Sequence, residues 1–73
     1  MLYTIRYTLC EQGKPDYRRC FQSTFTLKEA RAFLRDLAND CTRFETPRLH
    51  AKGKKLVIYD SDTSCRQYEI IRF

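Results

Sequence analysis

The side chains with the most chemical reach are four cysteines, Cys10, Cys20, Cys41 and Cys65, and a single histidine, His50. A structural zinc site usually takes two ligands from one tight turn, as in C-x₂-C, because such a pair spans one edge of the tetrahedron. No cysteine here has a close partner in sequence, and His50 lies near none of them. The opening Met1-Leu2-Tyr3-Thr4-Ile5-Arg6 has no basic segment followed by an apolar one, the pattern of a secretory leader. A cytoplasmic, reducing setting is therefore expected, with the cysteines as buried free thiols rather than disulfides. Asp60 and Asp62 would share a face of a strand and there could hold Mg²⁺. Flanked by Ser61, Thr63 and Ser64, they read instead as turn residues. No glycine-rich phosphate loop, G-x-S-x-G or H-E-x-x-H occurs, and nothing beside any cysteine supports a Cys–His dyad with His50. The expectation is a chain without catalytic residues, metal or cofactor.

The remaining chemistry is charge. Fourteen Lys and Arg against nine Asp and Glu leave a formal net charge of +5, which favours an acidic partner. The cations cluster. Arg43, Arg48, His50, Lys52, Lys54 and Lys55 fall in one stretch that holds only Glu45 against them. Lys14, Arg18 and Arg19 form a second group, and Lys28, Arg31 and Arg35 a third. On a strand, Arg48, His50 and Lys52 would share one face and form a basic ridge. Such a ridge can follow a phosphate backbone, with tyrosines adding base stacking. Tyr3 and Tyr7 alternate with Ile5 and Leu9, however, which assigns these tyrosines to the core. The candidate partner-binding residues are Arg43, Arg48, His50, Lys52, Lys54 and Lys55, with Arg18 and Arg19.

These residues need elements to hold them. Residues 1–9 alternate with period two, Met1, Tyr3, Ile5, Tyr7 and Leu9 on one face and Thr4, Arg6 and Thr8 on the other, which predicts a half-buried strand. A turn at 11–16 leads to a second strand from Tyr17 to Phe25, making a hairpin. Thr26-Leu27-Lys28-Glu29 is a capping box. The apolar stripe Leu27, Ala30, Phe33, Leu34, Leu37, Ala38 and Cys41 then predicts an amphipathic helix from Thr26 to about Cys41. Strands at 48–52 and 55–60 flank a turn at Gly53-Lys54, with Leu56-Val57-Ile58-Tyr59 as the central strand. A turn at 60–64 precedes a last strand at 66–73 whose two faces are both partly apolar.

Seventy-three residues allow one domain, 1–73, and a small core. The predicted class is α+β, a small antiparallel sheet in β-β-α-β-β-β order with one amphipathic helix on one face. No apolar run approaches the length of a membrane span. The order matches neither an RRM nor a helix-turn-helix module.

The stretch Phe25-Thr26-Leu27-Lys28-Glu29-Ala30-Arg31-Ala32-Phe33-Leu34 after a strand, within this layout, resembles small phage- and prophage-encoded accessory proteins, including some anti-CRISPR and host-polymerase inhibitors. The resemblance is one of arrangement, and it implies a stoichiometric inhibitor of a host nucleic-acid machine, acting in the host cytoplasm. Two partner classes stand open: the acidic surface of a nucleic-acid-processing complex, or RNA or DNA itself through the same basic residues. An exposed last strand ending at Phe73 would also permit a homodimer through a sheet edge.

Overall fold

The structure, a computed structural model, describes residues 1–40 and 46–73. Arg43 and Cys41 lie outside the described residues. Five strands, β1 (Tyr3–Glu11), β2 (Tyr17–Cys20), β3 (Arg48–His50), β4 (Lys55–Tyr59) and β5 (Ser64–Arg72), form one antiparallel sheet. The helix α1 (Leu27–Asp40) follows β2. The chain order is the expected β-β-α-β-β-β, and the class is α+β. In space the strands run β2-β1-β5-β4-β3.

Alternation decides which residues meet the helix. Ile5 pairs with Ile70, Tyr7 with Tyr68, and Tyr68 in turn with Leu56, so one sheet face is apolar. Against it α1 buries Ala30 and Leu34 completely, next to the equally buried Ile5, Leu56 and Ile58. Leu27, Leu37 and Ala38 close the same cluster from the helix side. Phe33 is more exposed, but its ring stands edge-on to Phe21 at 5.6 Å. The capping box forms as expected. The Glu29 amide donates to the Thr26 hydroxyl at 3.2 Å, and the Thr26 amide donates to the Glu29 carboxylate at 2.8 Å.

Four expectations are corrected. The second strand stops at Cys20, not Phe25. Phe25 rejoins β1 opposite Tyr3 through two backbone hydrogen bonds, but in a register two residues away from that of β2. Phe21 still donates its amide to the Ile5 carbonyl at 2.8 Å, residues 22–24 leave the ladder, and the Thr4 hydroxyl donates to the carbonyls of Phe21 and Ser23 at 2.9 and 3.1 Å. That contact explains why a threonine on the uncovered face is buried.

Lys52 is not a strand residue. The chain turns at Ala51–Gly53, with Ala51, Lys52 and Gly53 at φ 51°, 57° and 83°. Three consecutive left-handed residues reverse the chain, and only Gly53 takes that conformation without steric cost.

The last strand is not an edge. β5 lies at the middle of the sheet, paired with β1 on one side and β4 on the other. A homodimer through that strand has no free edge to use; the edges are β2 and β3, and the Leu56–Tyr59 run is the inner neighbour of β3. The cysteines are also less buried than expected. Cys20 is exposed on β2, while Cys10 and Cys65 are half-buried.

At the 60–64 turn, the Ser61 hydroxyl accepts from the Thr63 amide. Asp60 instead accepts two hydrogen bonds from Arg66, both at 3.0 Å. Burial is the largest influence on Arg66 and disfavours its charge, but Asp60 and Tyr68 together outweigh it and raise the pKa. Among the described residues no helix is long and apolar enough to cross a membrane.

Candidate anion-binding face

With α1 on one side, the other side of the sheet carries the residues that alternate with the core. Arg48 pairs with Val57, Val57 with Gln67, Gln67 with Thr8, and Thr8 with Arg18. These five residues make one row across all five strands. The next row runs His50, Lys55, Glu69, Arg6 and Cys20. At about 4.8 Å between strands, Arg48 and Arg18 stand roughly 19 Å apart at opposite edges. A depression of about 240 Å³ on this face is lined by Thr8, Cys10 and Gln67 together with the cations Arg6, Arg18 and Lys55 and the carboxylates Asp16 and Glu69.

The face therefore unites residues from two of the sequence clusters. Arg18, Arg48, His50 and Lys55 come together on it. Arg19 does not join them. It is opposite Tyr7, in step with Phe21, and so lies on the helix side of the sheet. Lys52 sits in the turn. Lys54 also belongs to the turn, with helical backbone angles and an exposed side chain, while its carbonyl accepts from the Ile70 amide. Arg43 lies outside the described residues. The third cluster, Lys28, Arg31 and Arg35, stays on the exposed side of α1, on the other layer. The turn approaches it there, since a Cβ on Gly53 would sit 3.9 Å from Arg31 Cγ.

Three residues of this face escaped the sequence argument. Arg6 forms an ion pair with Glu69 across β1 and β5. Its signal was present in the alternation of Thr4, Arg6 and Thr8, which set it on the uncovered face. The pairing with Glu69 joins the first and last strands, and period two alone does not reveal such a contact. Tyr59 lies beneath the Arg48 guanidinium, 5.5 Å from carbon to ring centroid. The stacked ring holds the cation over the sheet, an interaction worth about 0.5–1 kcal/mol at an exposed site.

Chemically, the face offers guanidinium, ammonium, imidazole, hydroxyl and amide groups around a polar depression. These donors suit phosphate or carboxylate oxygens. Among the described residues, no three His, Cys, Asp or Glu side chains converge as a metal site. Comparisons with protein-family models, curated proteins and solved structures find no match to this chain.

Proposed function

We propose that this chain is a small non-catalytic binding protein that receives an anionic partner on its uncovered sheet face, acting as a stoichiometric inhibitor of a nucleic-acid machine. The observation that carries the reading is the gathering of Arg18 from the first hairpin with Arg48, His50 and Lys55 from the distant β3–β4 hairpin on the sheet face opposite α1. The layout resemblance to phage-encoded accessory inhibitors supports the inhibitory role. An inhibitor of this kind works by covering the acidic surface of a complex, or the site where the complex meets its nucleic acid. Reversal of these charges should abolish such docking, because it sets like charges against each other.

Direct binding of RNA or DNA is the second reading. It is favoured by Thr8 and Gln67 lying between the cations, because phosphate oxygens accept from hydroxyl, amide and guanidinium groups alike.

One pair of variants tests both. Arg18, Arg48 and Lys55 changed together to glutamate reverse the uncovered face. Arg19, Lys52 and Lys54 changed together to glutamate make the same change in net charge elsewhere. Immobilised wild-type protein should capture a partner from lysate that the second variant retains and the first loses. Capture that survives nuclease supports the protein partner. Capture lost to nuclease, with affinity falling by roughly 0.7–0.9 powers of salt per phosphate contact, supports nucleic acid. Equal binding by wild type and the first variant, both folded by circular dichroism, would remove the face from the function.

A further inference from the structure

Cys10 and Cys65 are far apart in sequence, yet they are direct partners in the β1–β5 ladder. Both side chains fall on the uncovered face, where no helix shields them, and both are half-buried rather than sealed. Their position in the ladder is defined by neighbouring bonds. The Gln12 amide donates to the Thr63 carbonyl at 2.8 Å, and the Phe73 amide to the Leu2 carbonyl at 3.1 Å. Hydrogen-bonded pairs recur every second residue, so Cys10 and Cys65 occupy such a pair, with Cα atoms about 5.5 Å apart. Disulfides span Cα separations of roughly 4.4–6.8 Å, so the pair is within reach, and the Cβ atoms of a hydrogen-bonded pair, about 5.5 Å apart, need close by only about 1 Å to meet the usual 3.5–4.5 Å. The Gln67 side-chain amide also donates to the Cys10 sulfur at 3.8 Å.

The geometry points to Cys10 and Cys65 as a dithiol modification site, closed into a cross-strand disulfide by a small-molecule disulfide such as oxidised glutathione. The thiolate of one cysteine attacks a glutathione sulfur, and the first glutathione leaves as a thiolate. The neighbouring cysteine, once deprotonated, attacks the mixed disulfide and expels the second glutathione. Two protein thiols lose two electrons and two protons, and one glutathione disulfide becomes two glutathione thiols. The second step is intramolecular, which is what direct pairing in the ladder provides. Burial, and then the adjoining Cys65 and Asp16, push the Cys10 thiol pKa up, so the reaction should quicken as pH rises.

The closed loop from Cys10 to Cys65 encloses β2, α1, β3 and β4, and cross-linking a loop of this length constrains the unfolded chain strongly. Cys20 sits on the outer edge strand, opposite Arg6, and has no cysteine partner in the ladder.

The test is to treat the folded full chain with glutathione disulfide and to digest it without reductant. A Cys10–Cys65 peptide, from protein lighter by two hydrogens, is the expected product. Its melting temperature should be roughly 10 °C higher and return to the starting value on reduction. The Cys20→Ser/Cys41→Ser variant should close in the same way. Cys10→Ser should stop at a glutathione adduct on Cys65. Cross-links that involve Cys20 or Cys41, glutathione adducts that persist on Cys10 and Cys65 in the wild-type chain, or a linked form that melts below the reduced one would each overturn the assignment.

Discussion

Lys52 holds φ 57° and ψ 41°, next to Ala51 at φ 51°, in the turn between β3 and β4. An L-residue in that region brings Cβ against the following carbonyl and costs about 1–2 kcal/mol. Glycine removes the clash at some cost in unfolded-chain entropy, so Lys52→Gly and Ala51→Gly should each stabilise by about 1 kcal/mol. Urea denaturation measures it, and a lower midpoint for both variants would mean that the turn is not left-handed. At this scale the sequence was only partly legible. Gly53 marked the turn, but nothing in alanine or lysine announces a left-handed backbone. Lys52 therefore read as the third member of a strand face with Arg48 and His50. Arg19 was legible by contrast, because period two sets it in step with Tyr17 and Phe21 on the apolar face, where it pairs with Tyr7.

Among the elements, α1 was the most legible, since its start signal is local. Thr26 and Glu29 satisfy each other's amides, and the Glu29 carboxyl is held below its ordinary pKa, chiefly by the hydrogen bond from the Thr26 amide. A carboxyl whose pKa falls on folding adds stability above its unfolded pKa. That stability is lost as pH drops through the lower folded value. Glu29→Gln keeps an acceptor for the Thr26 amide but removes the titration. At pH 7 the variant should be less stable than wild type, and the gap should narrow as the pH falls below the ordinary glutamate range. Urea midpoints across pH 2.5–7 (roughly the span of carboxylate titration) check this, and a constant gap would separate the cap from the charge of Glu29. The end of β2 was illegible for the opposite reason. Phe21 and Phe25 preserve the apolar period while the chain between them slips two residues against β1, a change of pairing that a one-strand pattern does not record.

At the scale of the whole molecule, one small core carries the fold. A chain of this length has about 4–11 kcal/mol of total stability. Leu34 is fully buried against Ile5, Leu56 and Ile58, so Leu34→Ala should cost about 2–5 kcal/mol. Denaturant titration should find the variant marginal or unfolded, and an unchanged midpoint would contradict the packing of α1 on the sheet. The class and chain order could be read from periodicity, but strand order could not, because β5 carries apolar residues on both faces and nothing local distinguishes an edge from a centre. The central place of β5 has a consequence for how the protein is made. Tyr3 pairs with Arg72, so β1 must wait for nearly the whole 73-residue stretch to be synthesised before its inner edge is covered. At ribosomal rates of about 5–20 residues per second the wait is roughly 4–14 s. Throughout it the β1–β2 hairpin, and near its end the β3–β4 hairpin as well, presents a bare inner edge to solvent or to a chaperone. Arrival of a single strand then joins the two half-sheets at once.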